Sequence, residues 1–222
     1  MALGEIYFVR HGQASFGTAD YDRLSELGWQ QCRWLGQHFA EAGVTFDRVV
    51  AGSLRRHRET AEAILEANVA EGSATVDPGL NELNYDHLHN DADAAGVLPA
   101  LDMMAEGSFR VTMPLIMAGW EEASFATTHE PFDEFRKRVV NAVEAAATPG
   151  ARVLVVSSGG PKAIMLRHVL GIDSQTMTRL LLQTMNSSYT RFGLYEDGLH
   201  MAEYNAVPHL SVADRVPLRT YI

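Results

Sequence analysis

Ile6-Tyr7-Phe8-Val9-Arg10-His11-Gly12 is the stretch on which the reading of this chain turns. Its β-branched and aromatic start predicts a strand apolar on both faces, as strands inside parallel sheets are. The run then breaks into Arg10-His11-Gly12, which predicts a loop at the strand's carboxyl end, where ligands of open α/β sheets sit.

Downstream, Ser25 and Glu26 supply an N-cap and a first-turn acid. Leu27, Trp34, Leu35, Phe39 and Ala42 recur at helical spacing, and Gly43 closes the helix. Arg48-Val49-Val50-Ala51 predicts a second strand, followed by a helix from about Leu54 to Val69 with Ala61, Ile64, Leu65 and Asn68 or Val69 inward. From about residue 84 to 130 the periodicity weakens, with Met-rich stretches at Leu101 to Met104 and Met113 to Met117, and a partly helical, cap-like insertion is expected. Pro131 reopens regular structure with Phe132, Phe135, Val139 and Val143 on one helix face. Val153 to Val156 is a further strand, Gly159-Gly160-Pro161 starts a helix running to Leu170-Gly171, and Asp197-Gly198 marks a hairpin near the C-terminus. The alternation predicts an α/β fold, a single domain over residues 1–222, with a mostly parallel sheet, helices on both faces and an antiparallel edge.

With 46% hydrophobic and 21% charged residues in a chain of 222, disordered and fibrous classes are excluded. Eighteen Lys+Arg against 28 Asp+Glu leave a net charge of −10, a field that repels polyanions, so neither nucleic acid nor membrane is an expected partner. The single cysteine, Cys32, has no thiol to pair with, and Met1-Ala2-Leu3-Gly4-Glu5 carries no targeting pattern; a reducing, cytoplasmic setting is expected.

Against that acidic background two cationic spots stand out. A neutral imidazole at His11 is a nucleophile for phosphorus, Arg10 offers a planar fork for phosphoryl oxygens, and Gly12 presents no Cβ to block approach. Arg55-Arg56-His57-Arg58 opens the second helix, where free N–H groups already favour anions. Taken alone, the first spot reads more readily as ordinary surface contacts, and the second equally as a solvated basic face pairing with Glu59 and Glu62.

Together the motifs resemble the histidine phosphatase (phosphoglycerate mutase-like) superfamily. The resemblance rests on Arg10-His11-Gly12 after a strand, an Arg four residues before Thr60-Ala61, Leu80-Asn81-Glu82, and Ser157-Ser158-Gly159-Gly160-Pro161 after the late strand. It implies a three-layer αβα fold and a reaction that needs no cofactor and no metal. It makes His11 the residue that becomes phosphohistidine, Arg10 and Arg56 clamps on the phosphoryl group with Gly12 beside them, and Glu82 the proton donor and later base. Arg55 and Arg58 are left as neighbours widening the basic patch.

Two departures accompany the resemblance. Ser158 stands where the family places a second histidine, and a serine donates one hydrogen bond but carries no charge. Gly17 and Phe16 stand where many members have a phosphate-contacting Asn after a Trp. Among the histidines open to substitute for it, His57 and His129 are candidates by availability alone. His87 and His89, among Asp86, Asp91 and Asp93, read as a solvated acidic segment, Lys162 as a surface lysine, and Cys32 as packing. The expected function is hydrolysis of a phosphorylated small molecule through phosphohistidine. A catalytically weak relative that binds such a ligand is the alternative from another class, and a mutase the third reading. A homo-oligomer is left open.

Overall fold

The computed structural model describes residues 2–15, 21–68, 73–100 and 107–221. Among them lie β1 (Gly4–Arg10), α1 (Glu26–Glu41), β2 (Arg48–Ala51), α2 (Arg55–Asn68), β3 (Thr75–Val76), α3 (Tyr85–Ala94), α4 (Ser108–Glu121) and α5 (Phe132–Ala146). They are followed by β4 (Arg152–Ser157), α6 (Gly159–Leu170), α7 (Ser174–Gln183), β5 (Tyr189–Tyr195) and β6 (Gly198–Ala206). The strands form one sheet in the order β3-β2-β4-β1-β5-β6. β1 to β4 pair in parallel and the β5–β6 hairpin adds the antiparallel edge, as the alternation of elements led one to expect.

Period two sorts the strand residues between two helical layers. Ile6, Phe8, Val153 and Val155 enter a core shared with α3 to α7, whereas Tyr7, Val9, Leu154 and Val156 pack under α1 and α2. Both faces of β1 and β4 are therefore dry, which is why their sequences are apolar without alternation. Register then fixes the site: Arg10 pairs with Ser157, so the chain leaves β1 as His11 beside the point where it leaves β4 as Ser158.

Several expectations need adjustment. The insertion contributes two full helices, and Leu88, Met113, Ile116, Met117 and Trp120 join the same core as Phe135 and Val139. Pro114 lies inside α4, where it removes one helical donor and blurs the sequence pattern. Met113 and Met117 of the Met-rich stretch are core residues. α7 was not expected; Asp173 caps it by accepting from the Thr176 amide, and Asp-Ser-Gln-Thr reads equally as a turn. Val69, Phe16, Gly17 and Leu101 to Met104 lie outside the described residues.

Candidate active site

His11 sits in the first step of chain beyond β1, its amide donating to the Ser157 carbonyl at 2.8 Å and its own carbonyl accepting from the Ser187 amide and Asn186 Nδ2. Its Nδ1 lies 2.7 Å from the Gly12 carbonyl oxygen. A carbonyl only accepts, so Nδ1 carries the hydrogen and Nε2 the lone pair. That lone pair receives the Nε–H of Arg56 at 3.3 Å. Burial, followed by the charges of Arg56 and Arg10, holds the imidazolium well below the usual histidine range. The ring is a neutral base with Nε2 directed at a guanidinium, which is the form in which an imidazole attacks phosphorus.

Arg56, in the first turn of α2, is buried, with Nη1 donating to Asp22 at 2.7 Å and its guanidinium over the Tyr21 ring. Arg10 donates from Nη1 to the Thr184 carbonyl, and its Nε is buried with no hydrogen-bond partner among the described residues. A buried unpaired N–H of a cation is costly, and an anion placed there would satisfy it. Burial lowers the Arg10 pKa, opposed by the charge of Glu82 and reinforced by that of Arg56. His11, Arg10 and Arg56, anticipated from separate strand ends, are thus brought together. Arg55 pairs with Glu59 at 2.6 Å, and Arg58 is exposed.

Glu82 leaves the turn Pro78–Leu80 and reaches the start of α6, accepting from the Gly160 amide at 3.1 and 3.2 Å. Its loop is pinned from three sides. Ser157 Oγ donates to the Leu80 carbonyl, Asn81 exchanges hydrogen bonds with Ser53, and Arg138 of α5 donates to the Gly79 and Asn81 carbonyls. Arg138 is itself held by Glu130 at 2.7 Å. Sequence reasoning passed over Arg138, whose only local signal was the i,i+3 position after Phe135 on a half-polar helix.

Gly12 is also held by contacts of its own. Its amide donates to Thr60 Oγ1 at 3.1 Å, its carbonyl fixes the His11 tautomer, and a Cβ would meet the Gly28 carbonyl oxygen at 2.5 Å and Cys32 Sγ at 2.7 Å. The glycine is required by its contact with α1, and its amide is already committed. Thr60 lies one helical turn beyond Arg56, so α2 presents Arg56 and the Gly12 anchor on one face.

Ser158, the residue preceding α6, is fully buried, and its Oγ lies 2.6 Å from His57 Nε2. His57 is also fully buried, with its ring centroid 5.8 Å from that of His11. Of the two histidines weighed as substitutes, the fold brings His57 to the site and sets His129 against His87 on α3. Asp91, also on α3, accepts from Thr128. Among the described residues no three His, Cys, Asp or Glu side chains converge as metal ligands would.

Lys162 corrects the expectation of a surface lysine. It is fully buried, Nζ donates to the Ser188 carbonyl at 2.8 Å and hydroxyl at 3.1 Å, and burial followed by the charge of Arg10 pulls its pKa well down. Cys32 is buried beside Thr60, and burial pushes its thiol to about 12. Asp22 was also missed: it accepts from the Arg55 amide at 2.8 Å, capping α2 from a distant loop while steering Arg56.

The fold is that of a known class. The profile of the histidine phosphatase superfamily (branch 1) covers residues 6–207, and the chain belongs to that superfamily. Among curated relatives, it is 35% identical over 83 residues to the mitochondrial serine/threonine-protein phosphatase Pgam5 of Drosophila grimshawi, a match covering 36% of this chain and 24% of that one. A 2,3-bisphosphoglycerate-dependent phosphoglycerate mutase of Sinorhizobium fredii is 33% identical over 93 residues, 38% of this chain and 44% of the mutase. The matched part thus spans about a quarter of the Pgam5 relative and under half of the mutase. Among solved structures, a phosphoserine phosphatase of Entamoeba histolytica in complex with 3-phosphoglyceric acid superposes with a TM-score of 0.66 at 15% identity, covering 93% of this chain and 99% of that one. A mycobacterial glucosyl-3-phosphoglycerate phosphatase gives 0.61 at 21% identity, over 91% and 98%. These two superpositions speak to the fold.

Proposed function

We propose that the chain hydrolyses phosphorylated small molecules through a phosphohistidine on His11. The observation that carries the proposal is the state of that ring: neutral, with its hydrogen held on Nδ1 by the Gly12 carbonyl and its Nε2 lone pair beside Arg56. In the first step Nε2 attacks phosphorus, the P–O bond to the leaving group breaks, and Glu82 delivers a proton to the departing oxygen. In the second, water attacks the phosphohistidine, Glu82 takes its proton, and the P–N bond breaks to return His11 and release phosphate. Arg10 and Arg56 hold the non-bridging oxygens through both steps; the unpaired Nε of Arg10 supports that role.

Ser158, standing where the resemblance places a second histidine, belongs to this reading as a neutral donor to the same phosphoryl group. A reducing, cytoplasmic setting belongs to it too, supported by the lone cysteine. The test is phosphate release from a panel of phosphomonoesters, with His11→Ala as control. Release that depends on His11 supports hydrolysis, whereas ligand binding without release would replace it with the binding relative, and phosphoryl transfer between sugar or glycerate oxygens with the mutase.

A further inference from the structure

A second buried imidazole lies beside the nucleophile, and the two-step reaction leaves it unused. His57 approaches Ser158 Oγ through Nε2 at 2.6 Å, while its Nδ1 is buried with no hydrogen-bond partner among the described residues. That nitrogen faces the backbone of Gly52, where a Cβ would lie only 2.2 Å away. Two proton arrangements satisfy the contact with Ser158. If the hydroxyl donated, Nδ1 would carry an N–H with no acceptor, and orphaned buried donors are among the rarest features of folded proteins. If Nε2–H donates, Nδ1 keeps only a lone pair against a C–H, and the Ser158 hydrogen is released for another acceptor. Burial and the charge of Arg56 keep the His57 ring neutral, so it has one hydrogen to place.

Ser158 leaves β4 next to the point where His11 leaves β1, and its hydroxyl has no hydrogen-bond partner other than His57 among the described residues. An O–H whose oxygen accepts a hydrogen bond is a stronger donor, because the two bonds polarise one another. Resting on the phosphomonoesterase reading above, we propose that His57 and Ser158 act as a relay of hydrogen bonds. His57 Nε2–H donates to Ser158 Oγ, and the Ser158 hydroxyl donates to a non-bridging oxygen of the phosphoryl group bound at His11. No proton is transferred through the pair; it is a preorganised donor for charge on the phosphoryl oxygens. Ser158 touches the substrate, and His57 is its positioning residue.

The test is a double-mutant cycle on para-nitrophenyl phosphate turnover, with folding checked by thermal melting. His57→Ala and Ser158→Ala should each lower kcat on the order of tenfold to a hundredfold, as expected for a hydrogen bond to a charged group. The double variant should be no slower than the slower single one. His57→Gln, whose amide nitrogen can occupy the Nε2 position, should turn over about tenfold faster than His57→Ala; a structural role for the ring would not predict that rescue. If His57→Ala does not fold, His57→Met fills the volume without a donor. Dependence of turnover on His11 reports on the reading beneath the proposal. If the wild type releases no phosphate, the same cycle is run on orthovanadate affinity by calorimetry. Nitrogen-15 spectra assign the His57 tautomer independently of activity. Coupled losses, rescue by glutamine and a hydrogen on Nε2 are expected; additive losses, unchanged variants or a hydrogen on Nδ1 would overturn the relay.

Discussion

Glu82 and Gly160 are fitted to each other: the Gly160 amide donates to both carboxylate oxygens, and a Cβ on residue 160 would lie 2.2 Å from Glu82 Oε1. The amide belongs to the first turn of α6, where unpaired N–H groups favour negative charge. An acid brought from a loop is thereby aimed by the backbone of the helix that follows β4.

Gly160→Ala should consequently displace the carboxylate while sparing the fold, since the atom it meets is the end of a flexible side chain. Turnover of an alkyl phosphomonoester should fall by about tenfold or more, in proportion to the loss of a positioned acid. The melting temperature should move by only a few degrees. An unfolded variant, or one with full activity, would mean that the fit does not serve catalysis.

Glu82→Gln should slow substrates with poor leaving groups more than activated aryl phosphates, because a good leaving oxygen needs little protonation in the transition state. Comparing kcat for the two substrate types decides it. Equal losses would assign Glu82 a structural part or give the protonation to another acid.

Much of the site was legible because it is local. His11 follows a strand, Arg56 and Thr60 share a helix face, and Ser25 caps α1 by accepting from Gly28. What stayed hidden depends on chain segments meeting across the fold. His57 and Ser158 are 101 positions apart, and neither has a local signal of the other. Lys162 did have one: Ala163-Ile164-Met165-Leu166 is apolar around the whole helix, so α6 is enclosed and a lysine in it is interior. The polar run Asn186-Ser187-Ser188 before β5 carries no pattern that marks it as interior, yet all three residues are fully buried and Asn186 and Ser187 hold the His11 carbonyl. Buried polar residues announce themselves only once the accounting of backbone hydrogen bonds is done.

Acid should destabilise the fold through its buried histidines. His209, hydrogen-bonded to Ser187 at 2.8 Å, is brought down to about 3, by burial first and then by the charges of His38, Arg215 and Arg219. The unfolded chain takes up a proton near 6.5 and the folded one does not until about 3, so this contribution is complete above 6.5 and is lost as pH falls between those values. The loss amounts to roughly 1 kcal/mol per pH unit for one group, and His11 and His57 act in the same direction. Urea unfolding at pH 7.5 and 5.0 (conditions of roughly this spacing suffice) should show a smaller acid loss for His209→Gln than for the wild type. Parallel losses would mean that His209 does not stay neutral in the folded protein.

Hydrolysis by the proposed route requires that His11 carry the phosphoryl group. The most direct measurement is to mix the protein with a radiolabelled phosphomonoester, quench within a fraction of a turnover, and map the label by its chemistry and by peptide mass. The expected product is an acid-labile, alkali-stable phosphoramidate on the peptide containing His11, absent from His11→Ala and longer-lived in Glu82→Gln. Label on another residue, or phosphate release undiminished in His11→Ala, would contradict it.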